Sequence, residues 1–108
     1  MKIGDFSKMI KHIVLWKLKQ TADGSTAVEN AQIMKERLEA LNGRIPGMKK
    51  LEVGIDFSRT QASFDVALYS EFESRKALDD YQVHPEHMAV RKFIGGVIEG
   101  RHIADYEI

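Results

Sequence analysis

The sequence predicts an α+β domain in the order β-α-β-β-α-β, and three observations predict it. Residues 48–56 and 63–72 alternate apolar and polar side chains with the period of two that a half-buried strand shows. Apolar residues at Val28, Ala31, Ile33, Met34, Leu38 and Leu41 recur instead with helical period. Pro85 and the pair Gly95-Gly96 bracket a second helical stretch, which precedes a last alternating run over residues 97–107.

The first strand is residues 10–18, IKHIVLWKL, rich in β-branched and aromatic types. One face carries Ile10, His12, Val14, Trp16 and Leu18; the other carries Lys11, Ile13, Leu15 and Lys17. A polar loop, TADGS, follows, and Ser25 is placed to cap the first helix. Asn42-Gly43 and then Pro46 stop that helix. In the next strand Leu51, Val53 and Ile55 share a face. Its hairpin partner presents Phe64, Val66, Leu68 and Phe72 on one side and Asp65, Ala67, Tyr69 and Glu71 on the other. Ser74 caps a short helix to about Tyr81. Pro85 opens the next helix, where its missing N–H costs nothing, and Gly95-Gly96 ends it. The last strand has Glu99, Arg101, Ile103 and Asp105 on one face and Ile98, Gly100, His102, Ala104 and Tyr106 on the other.

The order is that of a ferredoxin-like unit, with a four-stranded antiparallel sheet covered on one face by helices. Ile13, Leu15, Ala67 and Tyr69 fall on the uncovered face and are too apolar to leave in water. Two such sheets packed face to face remove the problem, so the expected partner is a second copy, the pair forming a dimeric α/β barrel.

The chain has 108 residues, enough for one compact domain. Residues 1–8 read as an extension, ordered if at all by Ile3 and Phe6, and the domain proper spans residues 9–108. Sixteen basic residues balance sixteen acidic ones, so no electrostatic footprint for nucleic acid or an anionic membrane is expected. No apolar run approaches a membrane span, and the first residues lack a signal-peptide pattern. The absence of cysteine excludes disulfides, thiolate metal sites and a cysteine nucleophile, and is compatible with a cytoplasmic location. No cofactor fingerprint or phosphate-binding loop is present.

Several strings together resemble the stress-responsive A/B barrel domain family: IKHIVLWKL, IPGM, LEVG, LDDYQVHPEH and ADYE, in that order over residues 9–107. The resemblance implies a dimeric ferredoxin-like barrel. One branch, similar to the plant polyketide cyclase that makes olivetolic acid, uses a tyrosine and a histidine of the YxxHPxH string in an aldol-type cyclisation. These match Tyr81 and His87. That branch's pocket also holds a first-strand histidine and a last-strand aspartate, matching His12 and Asp105. The present chain departs from it at Arg101, where the branch is apolar. Some relatives hold a cation on backbone carbonyls after the first helix, in the region matching Asn42 to Met48.

Three readings of His84-Pro85-Glu86-His87 remain open. The first is a metal clip from His84 and His87, completed by His12 or Asp105. It is opposed by Pro85, which pushes His84 into extended geometry. In the second, His87 removes a proton alpha to a carbonyl while Tyr81 donates a hydrogen bond to the oxygen. His12, Trp16, Arg101 and Asp105 would then bind substrate, and Arg101 would favour an anionic or carbonyl-bearing ligand. Trp16 is weighed against plain core burial, and Arg101 with Asp105 against a structural ion pair. In the third, Tyr81 packs while both histidines bond backbone carbonyls at a helix corner. The chain is then a non-catalytic, stress-associated dimer. A partly apolar hollow beside His87 separates these cases, because Trp16 and Met88 are large enough to fill one.

Overall fold

The computed structural model describes residues 9–108. The expectations for residues 1–8, including Ile3 and Phe6, lie outside the described residues. Strand β1 (Ile10–Leu18) is followed by a miniature hairpin, β2 (Thr21–Ala22) and β3 (Ser25–Thr26), then by helix α1 (Ala27–Glu39). Strands β4 (Met48–Ile55) and β5 (Val66–Phe72) precede helices α2 (Arg75–Val83) and α3 (Pro85–Val97), and β6 (Ile98–Glu107) ends the fold. The four long strands form one antiparallel sheet in the order β4-β5-β1-β6. This is the ferredoxin-like α+β architecture that the pattern predicts.

The alternating residues Ile10, Val14, Trp16 and Leu18 of β1 are buried under the helices with Leu51, Val53, Val66, Leu68 and Phe72. Helix α1 packs on them through Ala31, Met34 and Leu38, α2 through Ala77, Leu78 and Tyr81, and α3 through Val90, Ile94 and Val97. Burial of such side chains contributes roughly 25 cal/mol per Å² of apolar surface, and it is what fixes the strand register. The opposite sheet face holds Ile13, Leu15, Ala67 and Tyr69 half-buried. Among them Lys11 Nζ donates to Tyr69 Oη (2.7 Å) and Glu71 Oε2 (2.8 Å).

Several boundaries differ from the sequence expectation. The cap of α1 is Thr26, not Ser25: its hydroxyl accepts the Glu29 N–H, and Glu29 reaches back to the Thr26 N–H in a full capping box. The stretch read as a plain loop is a hairpin, because Asp23 (φ 53°) and Gly24 (φ 77°) supply the left-handed pair that a tight turn needs. Helix α3 runs through Gly95 and Gly96 to Val97, whose burial holds the last turn against glycine's low propensity. β5 begins at Val66 rather than residue 63, and Phe64 instead packs edge-on to His102. Val28 and Ile55, expected inside, are exposed.

The first-helix run KERLE is more than a solvated face. Lys35 Nζ donates to the Val53 carbonyl (2.6 Å), Glu39 Oε2 accepts the Val53 N–H (3.0 Å), and Asn42 Nδ2 donates to the Leu51 carbonyl (2.9 Å). These side chains occupy outward-facing backbone groups of the edge strand β4 that a foreign strand would otherwise pair with. Lys35 also bonds Glu39 directly, which holds the Glu39 carboxyl below its ordinary range. Among the described residues no helix is long and apolar enough to cross a membrane.

Candidate functional site

Beneath α2 and α3, against β1 and β6, lies a cleft of about 190 Å³. Its walls are both apolar and polar. Val14, Leu38, Ile94, Ile98 and Ile103 line it together with His12, Trp16, Tyr81, Gln82, His87, Arg91 and Arg101. At roughly 30 Å³ per water it has room for about six waters, the scale of a small metabolite rather than a drug-sized ligand.

Tyr81 and His87 are brought together by a helix break. Pro85 forces His84 into extended geometry (φ −65°, ψ 132°), so His84 is at once the C-cap of α2 and the N-cap of α3. Its Nδ1 accepts the Glu86 N–H (3.1 Å). The chain turns there, and the His87 ring stacks on Tyr81 at 3.8 Å between centroids and 19° between planes. His87 Nδ1 lies 3.0 Å from the Tyr81 carbonyl oxygen. A carbonyl only accepts, so Nδ1 carries the proton and Nε2 of the neutral ring keeps its lone pair. Burial pushes His87 down to about 4; the Arg91 and His12 charges press the same way, against the bond to Tyr81. The place of His87 in the first turn of α3, near the positive end of the helix dipole, favours the same direction, but the larger cause is desolvation.

Tyr81 is 1% exposed. Burial raises its phenol well above the ordinary value, so it stays protonated and can only donate or accept a hydrogen bond at neutral pH. His12 sits across from it, edge-on at 6.1 Å. The His12 backbone carbonyl accepts the buried Ser70 hydroxyl (2.9 Å), and its Nδ1 donates to Asp105 Oδ1 at 2.5 Å. Pairing of β1 with β6 puts His12 opposite Asp105, Val14 opposite Ile103 and Trp16 opposite Arg101.

Five of the six expected site residues therefore line one cleft: His87, Tyr81, His12, Trp16 and Arg101. Asp105 stands behind them, bonded to His12, and among the described residues Arg101 forms no ion pair with Asp105 or Glu99. Trp16 is buried but does not close the hollow, and Met88 is half-exposed and away from it. The metal clip is not assembled: His84 Nδ1 caps α3 while His87 Nδ1 holds Tyr81. Among the described residues no group of three or more potential ligands converges. The helix-corner reading holds for His87, which bonds a backbone carbonyl, whereas His84 accepts a backbone N–H instead.

Arg91 and Gln82 escaped the sequence reading. Arg91 follows His87 by four residues, one helical turn, which is the signal that could have found it. Its Nη1 donates to the Gln82 carbonyl (3.1 Å).

One antiparallel sheet, helices on a single face and a polar cleft beneath them define a ferredoxin-like α+β domain with a candidate ligand site. Residues 10–108 match the family described as the stress responsive A/B barrel domain, and the chain belongs to that family. Among solved structures it is similar to a dimeric ferredoxin-like protein from Bacteroides fragilis, 38% identical, covering 93% of this chain and 96% of that one with a TM-score of 0.78. A member of the same family from Mesorhizobium loti is 25% identical, with 92% and 95% covered and a TM-score of 0.72. The fold, at 20% identity, is also that of a hydroxynitrile lyase from Passiflora edulis, with 94% of each chain covered and a TM-score of 0.77. No curated protein matches the chain.

Proposed function

We propose that the protein is a homodimeric small-molecule enzyme that performs acid/base chemistry on a carbonyl compound in the cleft beside His87. The observation that carries this reading is the tautomer of His87: its proton is tied to the Tyr81 carbonyl, leaving Nε2 as a neutral acceptor in a wall of the cleft. Nε2 takes a proton from the carbon alpha to the carbonyl. The C–H pair becomes a C=C bond and the carbonyl pair moves to oxygen, where the Tyr81 hydroxyl donates to the forming enolate. A base with a pKa near 4 is weak on its own. The enolate charge created beside it stabilises the imidazolium.

The dimer rests on the half-buried apolar strip of Ile13, Leu15, Ala67 and Tyr69 on the uncovered sheet face and on the dimeric relative from Bacteroides fragilis. Leu15→Lys puts an unpaired charge between the sheets and should yield monomers by light scattering. Wild type running as a monomer at micromolar concentration would remove the dimer from the proposal.

The chemistry is tested by proton exchange. Acetophenone and phenylpyruvate are incubated in D₂O with wild type, His87→Gln or Tyr81→Phe, and loss of the alpha-proton NMR signal is followed. Wild type should accelerate exchange of at least one compound, and His87→Gln should abolish the acceleration while melting within a few degrees of wild type. Exchange no faster than in buffer, or equal in the His87 variant, would overturn the reading.

A further inference from the structure

We propose that the ligand is an oxo-carboxylate with an apolar substituent, its carboxylate held by Arg91 and Arg101 and its body packed on the apolar wall. This deepens the preceding reading and rests on the same cleft.

Arg91 and Arg101 enter from opposite sides, one on α3 and one on β6, and no Asp or Glu side chain lines the hollow with them. Among the described residues neither is in an ion pair with a carboxylate, and Asp105, on the same strand face as Arg101, is engaged by His12. Two guanidiniums facing an uncompensated cleft attract an anion. The forked, planar N–H array of arginine matches a carboxylate. The same fork also accepts phosphate; the apolar side chains of the lining, and its lack of a glycine-rich loop, favour a carboxylate on a hydrocarbon body.

A second observation is independent of charge. Trp16 is 5% exposed and lines the cleft, yet its buried indole N–H has no hydrogen-bond partner among the described residues. A buried donor left unmade is destabilising, so such a group points to an acceptor that the protein does not itself provide. A ligand oxygen reaching the Trp16 side of the cleft is the acceptor we infer for it. The Tyr81 hydroxyl is a further donor in the same lining. Anion grip, neutral donors and the apolar wall of Val14, Leu38 and Ile94 together describe one molecule with a carboxylate, a carbonyl and a hydrocarbon part.

Calorimetric titration of the whole protein with phenylpyruvate, its methyl ester and inorganic phosphate tests this. The acid should bind roughly ten- to a hundred-fold more tightly than the ester, the range expected of a charge-assisted hydrogen bond. Arg101→Gln and Arg91→Gln should each shrink that ratio toward one while leaving ester affinity within about two-fold of wild type. Trp16→Phe should weaken acid and ester alike. Equal affinity for acid and ester in wild type, absence of binding by either, or displacement of phenylpyruvate by equimolar phosphate would overturn the proposal. Proton exchange that persists alongside equal acid and ester affinity would sink the anion grip alone. Tight, arginine-dependent binding without exchange would sink the acid/base chemistry alone.

Discussion

Acidification is expected to destabilise the protein through His87 before the carboxylates titrate. In the unfolded chain this imidazole has a pKa of about 6.5, and in the fold burial holds it at about 4. Between those values the unfolded state binds more protons than the folded one, so stability falls as pH falls from about 6.5 toward 4 and is not lost further below. The gap, at about 1.4 kcal/mol per pH unit, is worth about 3 kcal/mol in full, most of it gone by pH 4.5. For a domain of this size that is a large part of total stability. The perturbation that isolates it is His87→Phe, which fills the same space beside Tyr81 but cannot titrate. The variant loses the bond to the Tyr81 carbonyl at every pH, a constant offset of about 1–3 kcal/mol. Urea denaturation at intervals from pH 7.5 to 4.5 should therefore give two curves that converge as the pH drops. Glu39, Asp56 and Glu71 are held below the ordinary carboxylate range, Glu39 and Glu71 by their lysine partners and Asp56 by the Arg59 N–H. Their contributions decline at lower pH and are common to both proteins. Parallel curves, or an imidazole NMR titration placing His87 at or above 6.5, would refute the reasoning.

Other consequences follow from single contacts. Gly47 (φ 81°) would carry a Cβ 2.6 Å from the Ala77 Cβ, whereas Gly43, with the same φ, faces open space; Gly47→Ala should cost roughly 2–4 kcal/mol and Gly43→Ala about 1 by urea denaturation. Glu39→Ala frees the Val53 N–H and leaves the Lys35 ammonium with the Val53 carbonyl alone, so a loss of about 1–2 kcal/mol is expected, with hydrogen exchange at Val53 accelerated beyond that of Leu68 in the sheet interior. Ser70→Ala removes the buried bond to the His12 carbonyl and should cost about 1–2 kcal/mol while shifting the His12 ring resonances.

The fold was legible because its long elements repeat one instruction many times. Every second residue of β1 is apolar or is His12, and all of that face is buried. Each apolar position therefore votes for the same register. The short hairpin was not legible in this way, since a pair of two-residue strands offers no period to count. Its signal was the Asp23-Gly24 turn alone. The end of α3 misled because glycine propensity is a local term. Val97 is fully buried, and that tertiary contact outweighs the low propensity of two glycines.

The site was legible in its parts but not in its wiring. Strand alternation placed Arg101 and Asp105 on one face of the last strand and His12 on the face of the first strand opposite Ile13 and Leu15, yet an Arg101–Asp105 pair was as consistent with that pattern as the bond to His12 that forms. Cross-strand register decides it: Asp105 lies opposite His12, whereas Arg101 lies opposite Trp16. The role of His87 needed even more, because its partner is the backbone of Tyr81, and a carbonyl acceptor leaves no mark in the side-chain sequence. What the sequence did contain was the cause of that contact. Pro85 breaks the helix at His84, and the break folds residue 87 back over residue 81 instead of carrying it along one continuous helix. Along an unbroken helix two residues six apart are turned about 120° from each other and lie about 9 Å apart along the axis, since each residue advances the chain by about 100° and 1.5 Å. The proline is therefore what brings the His87 and Tyr81 rings together. Replacing it would separate them even if every group named in the cleft were kept.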